Sequence, residues 1–220
     1  MSSAPPFEQA MRACASALTA AFAIPAAFQP EDQLKRPLAE LIVQAGNALG
    51  GMAIEVLTKV WVAALRGRPD MGVAVRGLIS GYVELKAPGK GARLQQFKGE
   101  DKIQWEKFKN LPNLIYTDGN EWAHYQAGEL AGPILRLSGD MTRDGAAAIS
   151  PANAVALLEM LCARRAAWPR QRGRHAAVCR QRCGAGRGGL ASTHFFHRSI
   201  SGRCPLWSRV RSSALSTSGD

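Results

Sequence analysis

The stretch Arg68-Pro69-Asp70-Met71-Gly72-Val73-Ala74-Val75-Arg76-Gly77-Leu78-Ile79-Ser80-Gly81-Tyr82-Val83-Glu84-Leu85-Lys86 decides the fold. Met71–Val75 is short and apolar, Arg76-Gly77 reads as a tight turn, and Leu78–Ala87 reads as a returning strand stopped by Pro88-Gly89. A hairpin about Arg76-Gly77 puts Asp70 beside Glu84. Side chains alternate along a strand, so Glu84 and Lys86 share one face while Val83 and Leu85 point into the core. The hairpin therefore gathers two carboxylates and an ammonium on one edge of a sheet with apolar support behind. The plain alternative for these three residues is a surface salt-bridge cluster.

Working outward, Ile54–Leu65 is β-branched and apolar and is expected to be a strand. Before it, Phe7–Phe22 reads as a helix. A second helix starts at Gln29-Pro30-Glu31-Asp32, carries Leu34, Leu38, Leu41, Ile42, Ala45 and Leu49 at helical spacing, and ends at Gly46 and Gly50-Gly51. After the hairpin, Asp101–Asn110 is expected to be a helix with Ile103, Lys107 and Phe108 on one side. Leu114–Thr117 reads as a buried strand, Asp118-Gly119-Asn120 as a turn, and Glu121–Gln126 as the strand returning from it. Gly128–Ser138 adds a short strand, and Pro151–Leu161 a last helix with Ala154, Leu157, Leu158 and Leu161 on one face. This order implies an α/β fold, α+β in stricter usage: a mixed central sheet flanked by helices.

The chain has 220 residues, of which 46% are hydrophobic and 20% charged, enough to bury a core. No run of 18 apolar residues is present, so no transmembrane helix and no membrane partner is expected. The net charge of +11 is unevenly placed. Residues 1–161 hold 16 Lys+Arg and 16 Asp+Glu, whereas residues 162–220 hold 12 Arg, no Lys and one acid, Asp220. The pI near 10.0 is thus a property of the last 59 residues. Three segments are expected: a helical 1–30, a main domain 31–161, and an Arg-rich tail 162–220 of low order. The abrupt change in composition after Met160 looks like translation in a shifted frame of GC-rich DNA. Cys14 is the single cysteine of residues 1–161, which fits a reducing, cytoplasmic compartment. The Ala-rich run 13–28 is read as a helix rather than a secretory signal. The tail's Cys162, His175, Cys179, Cys183, His194, His197 and Cys204 match no tetrahedral zinc spacing.

Two hard carboxylates with the Leu85 carbonyl would suit an octahedral Mg²⁺ that keeps several waters. Such an ion lowers the pKa of a bound water and polarises a phosphoryl oxygen, while Lys86 can orient the water and stabilise charge on the phosphate.

Pro69-Asp70 followed by Glu84-Leu85-Lys86 resembles the PD-(D/E)xK nuclease superfamily. Gln104-Trp105-Glu106-Lys107-Phe108 on the next helix is similar to the Q-x-x-x-Y element of restriction-helicase and recombination nucleases, with Phe108 in place of the Tyr. Over roughly residues 30–145, the strings Gly81–Gly91 and Asp101–Trp122 resemble the amino-terminal region of large bacterial restriction–modification proteins, in which a nuclease domain precedes an N6-adenine DNA methyltransferase. The resemblance implies a restriction-endonuclease-like fold and Mg²⁺-dependent cleavage of DNA. Asp70, Glu84 and Leu85 would hold the metal; Asp70, Glu84, Lys86 and Gln104 would be the catalytic set. S-adenosylmethionine would belong only to a full-length relative, because this chain has no Asn-Pro-Pro-Tyr or Asp-Pro-Pro-Tyr element and no cofactor-binding Gly-rich loop. Methyltransferase activity is therefore not expected. DNA is the expected partner, and a homo-oligomer stays open. A non-catalytic DNA-recognition module and a nonfunctional fragment are the competing readings.

Other residues carry weaker signals. Gln104 could equally be a solvent-facing helix residue. Glu40, on the helix before the strands, could be an extra upstream acid of this superfamily, although most helix-face glutamates are only solvated. Lys86, Lys90, Arg93, Lys98, Lys102, Lys107 and Lys109 form a basic run that reads either as a solvated surface or as phosphate contacts. Pro88-Gly89-Lys90-Gly91 lacks the spacing of a nucleotide-phosphate loop and is expected to be a flexible loop at the rim of the site. Trp105, Tyr116, Trp122 and Tyr125 are expected in the core.

Overall fold

The structure is a computed structural model that describes residues 5–24, 29–58 and 60–163. These lie in a unit spanning Met1–Arg170; a second unit, Gln171–Asp220, falls outside the described residues. The expectations for the tail, its low order and its lack of a zinc site included, therefore lie outside them too.

Helices α1 (Pro6–Phe22) and α2 (Pro30–Ala48) open the chain, each with a proline in its first turn, where the missing N–H would have no partner anyway. Strands β1 (Ile54–Thr58), β2 (Met71–Val75) and β3 (Leu78–Leu85) follow. Helix α3 (Glu100–Phe108) crosses over to β4 (Leu114–Thr117), which turns back into β5 (Glu121–Gln126). The short β6 (Glu129–Leu130) and β7 (Leu135–Arg136) pair with β5, and α4 (Pro151–Ala163) closes the described chain. The result is a seven-stranded mixed sheet in the order β1-β2-β3-β4-β5-β6, flanked by helices. The expected α/β class is what the structure shows. Its one parallel pairing, β3 with β4, is the one that needs a crossover, which α3 supplies.

Alternation along the strands sorts the side chains onto two faces. Val83 and Leu85 of β3, Ile115 of β4 and Trp122 of β5 pack with Leu34, Leu38 and Ile42 of α2, Met11 and Leu18 of α1, and Leu157 of α4. On the opposite face Leu114, Tyr116, Ala123 and Tyr125 join Phe97 with Trp105 and Phe108 of α3. The rings of Trp105 and Tyr125 meet edge to face at 4.7 Å between centroids. The four aromatics expected in the core are all buried.

Four local expectations need correction. The helix α2 runs through Gly46 rather than ending there, because Gly46 serves packing: a Cβ would sit 2.4 Å from the Met52 carbonyl oxygen. The expected strand Ile54–Leu65 stops at Thr58, and a 3₁₀ turn at Ala63–Leu65 is closed by the bridge between Val62 and Gly67. The returning strand of the hairpin ends at Leu85 instead of Ala87. In α3 the buried residues are Trp105 and Phe108, while Ile103 is exposed. Among the described residues, no helix is long and apolar enough to cross a membrane.

Candidate metal and phosphodiester site

The site is set by the register of the β2–β3 hairpin. Arg76 and Gly77 both take positive φ (52° and 75°), the backbone of a tight two-residue turn whose twist suits the strands. Pairing begins as Val75 with Leu78 and Ala74 with Ile79, then shifts by one residue, so that Val73 faces Gly81 and Met71 faces Val83. Ser80 is the residue that the shift absorbs, and its hydroxyl donates to the Val73 carbonyl at 2.9 Å. Continued one position past Met71 and Val83, this register sets Asp70 opposite Glu84.

The contacts agree. The Asp70 amide reaches Glu84 Oε2 at 3.4 Å, and the Leu85 amide donates to Asp70 Oδ2 at 2.9 Å. Glu84 is only 2% exposed. Burial, and next the charge of Asp70, push its carboxyl well above the usual carboxylate range, with Lys86 opposing. Lys86 is also buried, at 4% exposure, in contrast to the edge position expected for it, since β3 is an interior strand. Its ammonium donates to Asp101 Oδ1 at 2.8 Å and to Gln104 Oε1 at 2.5 Å, and lies over the rings of Phe97 and Tyr116.

The structure thus brings together Asp70, Glu84, Lys86 and Gln104, with Leu85 at the end of β3 tied to Asp70 by its amide. It does not bring Glu40 to them through any contact: that residue is exposed and paired with Arg36 at 3.0 Å.

Two participants were missed by sequence reasoning. Lys35 of α2 bridges Asp32 Oδ1 at 2.5 Å and Asp70 Oδ1 at 3.0 Å, and these bonds raise its pKa despite partial burial. Nothing local in the sequence links α2 to the hairpin. Asp101 is held below the usual carboxylate range, against the effect of its own partial burial, by hydrogen bonds from Lys86 and from Lys90 at 3.3 Å. A signal did exist for Asp101, which stands three residues before Gln104 on the same helix face.

The Pro88–Gly91 loop differs from the flexible rim expected. Asp118 Oδ2 accepts from the amides of Gly89 and Gly91, Glu121 Oε1 from that of Ala92, and Glu121 Oε2 from Arg93. The other oxygen of Asp118 accepts from Asn120 and Glu121, which forms the β4–β5 turn. Both carboxylates are buried (3% and 6% exposed), so one hairpin's acids clamp the loop that follows the other hairpin. In the basic run, Lys86, Lys90, Arg93 and Lys109 each face a carboxylate of the chain itself.

A divalent cation fits this donor set on one observation: two carboxylates meet in a poorly solvated place, and the nearby ammonium of Lys86 donates to Asp101 and Gln104 rather than to either of them. A cation between Asp70 and Glu84 would offset the burial, and after it the charge of Asp70, that raise the Glu84 carboxyl above the usual carboxylate range. Among the described residues, no cluster of three or more His, Cys, Asp or Glu is present, so the remaining ligands would be backbone carbonyl and water.

No family model matches the chain, and no curated protein matches it. Among solved structures, one similar chain belongs to the "cryoEM structure DrdV-DNA complex", at 19% sequence identity and a TM-score of 0.47. The match covers 70% of this chain and 14% of that one, so this chain spans a small fraction of its neighbour's length.

Proposed function

We propose that this chain is a metal-dependent DNA endonuclease module of restriction-endonuclease-like fold, hydrolysing phosphodiester bonds in a restriction–modification system. The observation that carries the reading is the buried Glu84 beside the half-buried Asp70, with Lys86 and Gln104 on the same face of the sheet. Asp70, Glu84 and the Leu85 carbonyl would hold a Mg²⁺ ion, whose chemistry is to acidify a bound water and neutralise a phosphoryl oxygen. The chain's own groups do the rest. Lys86, fixed in direction by Asp101 and Gln104, presents a positive charge from a dry site to the pentavalent phosphate, where it is worth more than in water. Gln104 holds that ammonium in place, and the clamped loop 88–91 keeps Lys90 beside Asp101 at the rim.

The test is cleavage of plasmid DNA by the full chain with and without Mg²⁺. Glu84→Ala and Lys86→Ala are each expected to lower the rate by about 10²–10³-fold, the order measured when a single transition-state-stabilising group is removed. Unaltered cleavage by Glu84→Ala excludes the site.

A second reading, a DNA-recognition module without catalysis, is favoured by Lys35, which already sets a cation against Asp70. It predicts DNA binding with no cleavage under any divalent metal.

A further inference from the structure

Arg68 and Pro69 lead directly into Asp70, and the chain just upstream forms a small loop whose Val62 and Leu65 pack against the aromatic cluster. The Val62–Gly67 bridge closes it, with the Val62 amide donating to the Gly67 carbonyl at 2.9 Å. Trp61 and Arg68 are the next pair outward on the two arms. The Arg68 guanidinium lies 5.6 Å from the centre of the Trp61 ring, and Trp61 is 56% exposed, large for a tryptophan. Gly67 is buried beneath α3: a Cβ there would lie 2.7 Å from Lys107 Cε and 3.1 Å from its Nζ. Lys107 stands one turn past Gln104 on α3, so the positive rim continues from the helix that steadies Lys86. Arg66, Arg68 and Lys107 are exposed, and among the described residues none has a carboxylate within 4.0 Å. This sets them apart from Lys86, Lys90, Arg93 and Lys109, which the chain neutralises itself.

An exposed indole under the Arg68 guanidinium, with Lys107 over the neighbouring Gly67 and no acidic partner for either cation among the described residues, stands two residues from a candidate phosphate-cleaving centre and is suited to a polyanion with flat groups. We infer that Trp61, Arg68 and Lys107 form a DNA-strand subsite in which the indole stacks on an unpaired base and the cations hold the flanking phosphates. The choice of DNA as occupant rests on the endonuclease reading; the geometry of the subsite does not. Stacking needs only a π-face, so the subsite would tolerate any base, and Arg68 would enter it already oriented by the ring.

The probe is an oligonucleotide duplex with a single-stranded extension containing 2-aminopurine, titrated with the full chain in EDTA. Any contribution of the Arg-rich residues 162–220 is common to all variants and cancels in their ratios. The wild-type chain should bind and quench 2-aminopurine. Trp61→Ala should lose the quench and weaken binding about tenfold, within the range known for base stacking, and Trp61→Phe should restore part of both. Arg68→Ala and Lys107→Ala should each reduce the slope of log affinity against log salt by about one. Arg68→Ala also tests the subsite should Trp61→Ala fail to fold. Wild-type-like affinity, quench and salt slope in these variants, or no binding by the wild-type chain, overturns the subsite. Trp61-dependent binding without Mg²⁺-dependent cleavage upholds the subsite and removes the endonuclease reading; cleavage with indifference to Trp61 does the reverse.

Discussion

On one face of the sheet, Val83 and Leu85 of β3 pack against aliphatic side chains of three helices; on the other, Glu84 of the same strand and Lys86 just past its end lie equally dry among aromatic rings and three polar partners, Asp70, Asp101 and Gln104. Adjacent residues share a backbone and a degree of burial and differ only in which way they point. The apolar face removes hydrocarbon from water, which stabilises the fold. The polar face holds a carboxyl whose ionised form is unfavourable there, which stabilises nothing until something positive arrives. The apolar core and the proposed site are thus separated by a strand's two-residue period rather than by distance.

Three measurements can break or sharpen this contrast. The largest effect is expected from Leu38→Ala on the helical face. It should cost about 2–5 kcal/mol by denaturant unfolding, through lost burial and the cavity left behind, while cleavage under native conditions persists. A loss of cleavage at unchanged stability would contradict the separation. Next, Asp118→Ala should cost about 1–3 kcal/mol, because it strips the amides of Gly89, Gly91, Asn120 and Glu121 of their acceptor. It should also raise hydrogen exchange at Gly89 and Gly91. Unchanged protection there would show that the loop is held by something else.

The smallest effect has the opposite sign. Glu84 keeps its proton more tightly when folded than when unfolded, where its ordinary value is 4.5. Its contribution to stability is therefore fully present below that value and is lost as pH rises through the higher folded one. Glu84→Gln should accordingly leave stability unchanged in acid and raise Tm at neutral pH in EDTA. Adding Mg²⁺ or Ca²⁺ should raise the wild-type Tm and leave Glu84→Gln unmoved. A lower Tm for Glu84→Gln at neutral pH would mean that the carboxylate is stabilising and the contrast between the faces is false.

Much of this was legible in the chain because it is local. The bounds of β2 and β4 follow from short apolar runs, those of β5 from the Asp118-Gly119-Asn120 turn before it, and Arg76-Gly77 marks its own hairpin. That hairpin places Asp70 near Glu84, while the pairing shift at Ser80 that sets the two directly opposite has no mark in the sequence. What stayed hidden was long-range. Gly46 looked like a helix end because its reason, the Met52 carbonyl, lies in the following segment. The 88–91 loop looked free because the acids that hold it come some thirty residues later. Spacing groups Ile103 with Phe108, yet Ile103 is exposed, because a nine-residue helix is too short for hydrophobic spacing to outvote two large aromatics. Lys35 belongs to a helix whose apolar stripe says where it packs and nothing about what its charged flank reaches.

The irregular pairing at Ser80 has a further implication. In an unbroken ladder, Asp70 would face Val83, and the acid across from it would be turned to the helical side of the sheet. The odd residue corrects the parity. Removing Ser80, or inserting a single residue anywhere between Gly81 and Val83, would keep every acid in the chain and still dismantle the pair. What is specified is a count modulo two, so a chain that has lost or gained one residue in this arm would look intact by composition and lack the Asp70–Glu84 pair.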